Sequence, residues 1–152
     1  MSDLTGKVAL VTGAAAKRSM GRGIAVQLAK DGADVVVADK FTVPPSIWAE
    51  DKAWKGLDDV VAEIRALGRK GVALTCDVSR EEECSQTIQA VIDVYGGIDI
   101  LVNNAGLTQR SAFVDTQTAV YKKVMDVNFF GALYCTKAAI KTLIERRGVI
   151  VV

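Results

Sequence analysis

The chain has 152 residues, enough for one domain, and half of them are hydrophobic while 24% are charged, the balance of an ordinary globular protein. A net charge of +1 without a basic block or acidic tail leaves no electrostatic footprint for nucleic acid or a membrane surface. Histidine is absent, which excludes Ser-His-Asp and Cys-His catalysis and histidine-ligated zinc; no metal site is expected.

The apolar run Val8-Ala9-Leu10-Val11 has the form of a parallel strand buried on both faces. It is too short for the core of a signal peptide, and no run approaches the length of a membrane span. A glycine-punctuated turn follows from Gly13 to Gly21, and then Ile24, Ala25, Leu28 and Ala29 recur at helical spacing. Strand, glycine turn and helix start make an anion site, because backbone must approach the anion closely and the helix N-terminus presents N–H groups and a positive dipole end.

A second β-branched run, Ala33 to Ala38, ends at Asp39. Lys40 to Trp54, with adjacent Pro44 and Pro45 and two tryptophans, reads as a long loop with a short helical turn around Ile47 to Lys52. Gly56 to Leu67 is amphipathic and Gly68 stops it. Val72 to Cys76 makes a third strand ending in Asp77, and Ser79 with Glu82 has capping-box spacing before a helix through Ile88, Val91, Ile92 and Val94. Gly96 and Gly97 end that helix, and Ile98 to Val102 is a fourth strand running into Asn103-Asn104-Ala105-Gly106. Thr118 to Arg146 reads as one long helix stopped by Gly148, and Val149 to Val152 begins a fifth strand. Alternating strands and helices imply an α/β fold of Rossmann type, a doubly wound parallel sheet of order 3-2-1-4-5.

Ligands of such sheets bind at the carboxyl ends of strands, near the switch point between strands one and four. The polar residues Thr12, Asp39, Asp77 and Asn103 to Gly106 collect at those ends. Each has an ordinary structural reading, as a solvated carboxylate, a helix cap or a tight turn. Four strands delivering such residues to one edge point instead to a binding site.

Taken together, Thr12-Gly13 with Gly21, Asp39 after strand two, Cys76-Asp77-Val78, Asn103-Asn104-Ala105-Gly106 and Asn128 within VNFFGA resemble the N-terminal part of a short-chain dehydrogenase/reductase. The resemblance covers the whole chain. It implies a cofactor site of Gly13, Ser19, Met20, Gly21, Asp39, Asp77, Val78, Asn104, Ala105 and Gly106, with Asp77 and Val78 against the adenine. It further implies that Asn128 supports a catalytic proton relay by holding a water. In the family a Tyr acts as general acid/base, a neighbouring Lys lowers its pKa, and a Ser polarises the substrate carbonyl.

Two departures stand out. The family's TGxxxGxG becomes TGxxxxxSxG, with Ser19 in place of the middle glycine, a version resembling the enoyl reductase branch. Ser19 has a hydroxyl to donate to a pyrophosphate oxygen. The family's catalytic Ser and Tyr-x-x-x-Lys lie beyond strand five, and neither Tyr134 with Lys137 nor Tyr121 with Lys122 and Lys123 has that spacing. Residues 1–152 are therefore expected to be an incomplete NAD(P)-binding domain without turnover of its own. The whole protein is expected to be an NAD(P)-dependent alcohol/carbonyl oxidoreductase. A non-catalytic dinucleotide-binding or remnant module is the alternative, and an enoyl-thioester reductase a weaker one.

Asp39 favours NAD, because its carboxylate would accept both ribose hydroxyls and repel a 2′-phosphate. Lys17 and Arg18 argue for NADP unless the lengthened turn aims them at solvent. The helix 118–146, apolar or small on nearly every side, is expected to pair with a second copy of the protein. Cys76, Cys84 and Cys135, an odd set without a CxxC, fit buried thiols in a reducing compartment and a cytoplasmic location.

Overall fold

The computed structural model describes residues 3–46 and 48–152. Strands β1 (Val8–Thr12), β2 (Asp34–Asp39), β3 (Gly71–Thr75), β4 (Ile100–Val102) and β5 (Val149–Val151) pair in parallel in the order β3-β2-β1-β4-β5, the order expected from the sequence. Helices α1 (Met20–Lys30), α2 (Leu57–Ala66) and α3 (Glu81–Tyr95) connect the strands. The last crossover is α4 (Thr118–Met125), a π turn (Asp126–Phe130) and α5 (Gly131–Arg146) in unbroken succession.

The central strands are apolar at successive positions because each face of the sheet has its own core. Val11, Val35 and Val37 pack with Ala25 and Ala29 of α1 and Val60 and Ile64 of α2. The alternate residues Leu10, Val36 and Ala38 pack with Ile88 and Val91 of α3 and Ala139 and Leu143 of α5. That second core also holds all three cysteines, which are free and buried. Parallel register sets Thr12 beside Ala38 and Asp39 beside Thr75, so the carboxyl ends of β1, β2 and β3 share one edge.

Several boundaries differ from expectation, for identifiable reasons. β4 is shorter because Ile98 donates its N–H to Thr142 Oγ1 (3.1 Å), while the Asp99 carboxylate accepts from Val8 N (3.0 Å). Those side-chain bonds lash the strand's start to α5 and β1, and Asp99 adds backbone bonds to Val8 O (2.9 Å) and from Val149 N (2.8 Å). The Ser79–Glu82 capping box does not form. Ser79 Oγ donates backward to Asp77 Oδ1 (2.6 Å), and it is Glu83 that accepts from Asp77 N (2.8 Å). In the loop after β2 the helical turn is a 3₁₀ turn, Ala49–Asp51; Ile47 lies outside the described residues.

The long helix spans its expected range but contains the π turn, one residue wider than α-helical winding. Nor is it buried all round: Phe129, Leu133 and Ile144 are exposed. Among the described residues no helix is long and apolar enough to cross a membrane.

Candidate functional site

Gly13 leaves β1 with φ +71°, a conformation that disfavours any side chain, and its N–H donates to Ala38 O of β2 (2.8 Å). The turn then runs to Ser19, the N-cap of α1. Its hydroxyl accepts from Arg22 N (3.2 Å) and donates to Ala16 O (2.8 Å). The hydroxyl hydrogen is thus engaged within the turn in this structure. What the turn offers an anion is the N-terminus of α1, whose first amides belong to Met20 and Gly21. Gly21 sits behind them: a Cβ there would run into Gly13 O and lie 2.6 Å from Asn104 Nδ2.

At the end of β2, Asp39 Oδ2 accepts from Ala15 N (3.0 Å) and Oδ1 from Phe41 N (3.2 Å). The carboxylate thereby fixes the glycine turn from across the site and keeps acceptor capacity on both oxygens. Beyond β3, Asp77 faces Lys40 Nζ at 2.6 Å. Burial raises the cost of its charge, but the bonds from Lys40 and from Ser79 outweigh that and hold its carboxyl below the ordinary range.

Asn104, past the end of β4, donates from Nδ2 to Thr12 O (2.8 Å) and Gly13 O (3.0 Å). Thr12 answers through Oγ1, which accepts from Asn104 N (3.1 Å) and Ala105 N (3.0 Å) and lies 3.2 Å from Val102 O. Sequence reading placed Thr12 at this edge without giving its hydroxyl a task. Asn128, at the middle of the π turn, accepts from Leu107 N through Oδ1 (2.8 Å) and donates from Nδ2 to Leu107 O (3.1 Å). The amide side chain clamps Leu107 through both its N–H and its C=O, so bracing is its observed role here.

These elements enclose a cavity of about 490 Å³. Nine of the ten residues named from sequence line it: Gly13, Ser19, Met20, Asp39, Asp77, Val78, Asn104, Ala105 and Gly106. Gly21 is behind the wall and Asn128 is one residue removed, through Leu107. Lys40, Phe41, Cys76 and Lys123 also line it, and sequence reading had not singled out Lys40 or Phe41. Lys40 immediately follows Asp39, the only signal that could have found it.

Lys17 and Arg18 keep much of their surface in solvent, yet neither extends freely into it. Both turn to the loop between β2 and α2, where Arg18 Nη2 lies 3.2 Å and Lys17 Nζ 3.6 Å from Asp51 Oδ1. Nothing in the sequence pairs these positions, which are more than thirty residues apart. Among the described residues no group of His, Cys, Asp and Glu is placed to hold a metal.

The parallel sheet thus brings a glycine turn at the end of β1, a carboxylate at the end of β2 and Asn104-Ala105-Gly106 past β4 to one cavity. The chain belongs to the short chain dehydrogenase family, whose sequence model matches residues 7–152. It is 40% identical over 150 residues to an uncharacterized oxidoreductase of Methylorubrum extorquens, covering 99% of this chain and 55% of that protein. It is 35% identical over 148 residues to a 3-oxoacyl-[acyl-carrier-protein] reductase of Synechocystis, covering 97% of this chain and 55% of that one. Among solved structures, a short-chain type dehydrogenase/reductase from Mycobacterium marinum superposes with a TM-score of 0.84 at 29% identity, covering 97% of this chain and 55% of that chain. The chain thus spans about half the length of the relatives it matches.

Proposed function

We propose that this chain is the cofactor-binding part of an NAD-dependent oxidoreductase that interconverts alcohol and carbonyl groups of a small molecule. The observation that carries the reading is the convergence of the ends of β1, β2, β3 and β4 on one cavity, with an anion-binding helix terminus at one side and the Asp39 carboxylate at another. The residues fit a dinucleotide: the first amides of α1 for the pyrophosphate, Asp39 for ribose hydroxyls, Asp77 and Val78 for the adenine, and Asn104 to Gly106 toward the nicotinamide side. The bound group would supply the hydride acceptor or donor. The chain's own part is to fix that group. Asn128 holds the segment at Leu107, and a water held by the same clamp would extend a proton relay.

Asp39 favours NAD, since a 2′-phosphate would bring like charges together. Titrating NAD and NADP into the complete protein tests this, and tighter NADP binding would overturn the preference. The alternative, a dinucleotide-binding module without catalysis, is distinguished by assaying the complete protein with NAD(H) against a panel of alcohols and ketones. Robust turnover discards it. For the apolar face of α4 and α5, with Tyr121, Met125, Phe129, Leu133 and Ile144 exposed, a second copy of the protein is the proposed partner. A monomeric mass of the complete protein in solution would count decisively against that.

A further inference from the structure

The loop between β2 and α2 is fastened to the glycine turn at two points. Trp54 Nε1 donates to Ala15 O (2.8 Å), and the Arg22 guanidinium lies over the Trp54 ring at 5.1 Å. At the second point Asp51 is the centre. Its side chain is only 5% exposed, and its carboxylate accepts from Ser46 Oγ (2.8 Å) and Arg18 Nη2 (3.2 Å), with Lys17 Nζ at 3.6 Å. Arg18 also reaches Glu50 Oε1 (3.3 Å) and stacks on Trp48 at 5.2 Å, and Lys17 donates to Glu50 O (3.3 Å).

These contacts have a bearing on cofactor choice. Ala15 gives its N–H to Asp39 and its C=O to Trp54, so the loop and the ribose-side carboxylate meet on one residue of the turn. A second cavity of about 310 Å³, lined by Lys17, Arg18, Pro44, Trp48, Asp51 and Trp54 among others, adjoins the first along Ala16 and Ser19. Two cations therefore stand beside the site but are held by the buried Asp51 carboxylate, with Glu50 also paired to Arg18. Lys40, which lines the first cavity on the same side, is paired with Asp77. A phosphate drawing Lys17 and Arg18 away would strand the Asp51 carboxylate, buried and unpaired, which is costly.

We propose that Asp51 is a positioning residue for cofactor selection: it stands as an internal anion in place of a 2′-phosphate, holding Lys17 and Arg18 away from the ribose so that NAD is preferred to NADP. This rests on reading the first cavity as a dinucleotide site, and it concerns this chain's own loop rather than Asp39.

The test is calorimetric titration of NAD and NADP into the complete protein, as wild type, Asp51→Asn, Asp51→Glu, and Asp51→Asn combined with Lys17→Ala and Arg18→Ala. Asp51→Asn is expected to raise NADP affinity relative to NAD about tenfold, the worth of one released charge-assisted contact. Asp51→Glu should keep the wild-type ratio, and loss of both cations should abolish the gain. An unchanged ratio, or equal weakening of both cofactors, would mean Asp51 is merely structural and would overturn the proposal. Should Asp51→Asn lose its cooperative melt, Trp48→Ala releases Arg18 from the ring while keeping the carboxylate. The ratio should move the same way by less, and no movement would again overturn the idea. Wild type that binds neither dinucleotide fails the site reading itself, whereas binding with an insensitive ratio fails only the role of Asp51.

Discussion

Thr12 and Asn104 hold each other in place across the switch point. The threonine hydroxyl, on a residue only 2% exposed, takes the backbone N–H of Asn104 and of Ala105, while the Asn104 amide takes the carbonyls of Thr12 and Gly13. The pairing between β1 and β4 stops at Val11 and Val102, and beyond it these side chains tie the two strand ends together instead.

Replacing Thr12 by Val keeps the shape and leaves two backbone N–H groups without their acceptor. The expected cost is roughly 2–6 kcal/mol, at about 1–3 kcal/mol for each buried donor left unmet. Urea unfolding of the complete protein measures it, and a midpoint equal to wild type would show that water replaces the hydroxyl.

Gly21 and Gly23 sit two residues apart in α1 and should respond oppositely to alanine. At Gly21 a Cβ meets the Gly13 carbonyl and the Asn104 amide, so Gly21→Ala must push the glycine turn off the Asn104 loop and weaken dinucleotide binding. At Gly23 nothing lies within 4 Å, and Gly23→Ala should stabilise the helix by about 0.5–1 kcal/mol. Melting temperature and cofactor titration on the two variants separate these effects.

Asp99 sets the acid limit. Burial works against its charge, but Val8 N, Arg146 and Lys7 outweigh that and keep its carboxyl below the ordinary value of 3.8. A carboxyl lowered by folding contributes stability that is complete above its unfolded value and is lost as pH falls through its folded one. Stability should therefore decline below about pH 4, with ordinary carboxyls near 3.9. Asp99→Asn should lose about 2 kcal/mol at neutral pH, less than a wholly buried pair because Lys7 and Arg146 keep solvent contact, and should flatten the acid limb. Denaturation curves from pH 3 to 7 (about the carboxylate range) check both; an unaltered acid limb in the variant would assign the decline elsewhere.

Residues 1–152 expressed alone should show no meaningful turnover. They contain no Tyr-x-x-x-Lys, and general acid–base catalysis typically contributes about 10²–10⁴-fold. In this chain β5 pairs with β4 alone, and Val149, Ile150 and Val151 are exposed, an apolar edge that invites association. Robust turnover of pure material with NAD(H) and a ketone panel would mean that a proton donor lies within these residues.

Strand order and cavity lining were legible in the sequence because both follow from short-range signals. Apolar runs such as Val8 to Val11 end in polar or glycine residues, and parallel winding brings those ends to one edge. The local expectations that failed were decided by side-chain partners that no hydrophobic pattern marks. Ser79 lost its cap because the Asp77 carboxylate lay nearer, and Lys17 and Arg18 were turned by Asp51, whose neighbourhood no periodicity specifies. Asn128 shows the middle case: VNFFGA marked the position, but only the π turn and its two bonds to Leu107 gave the side chain a task.

The three cysteines come from the end of β3, from α3 and from α5, and they meet in the core beneath the cavity. Hydrogen bonding with Cys135 and burial push the Cys84 thiol up to about 12, and all three thiols are buried away from reagents in the native core. Only the thiolate attacks a disulfide reagent, so the rate of modification by a colorimetric reagent counts excursions in which β3, α3 and α5 come apart. The molecule thus carries its own label for rare openings. Protection of those thiols by a dinucleotide would read out, without any enzymatic assay, how firmly a ligand above them closes the floor below.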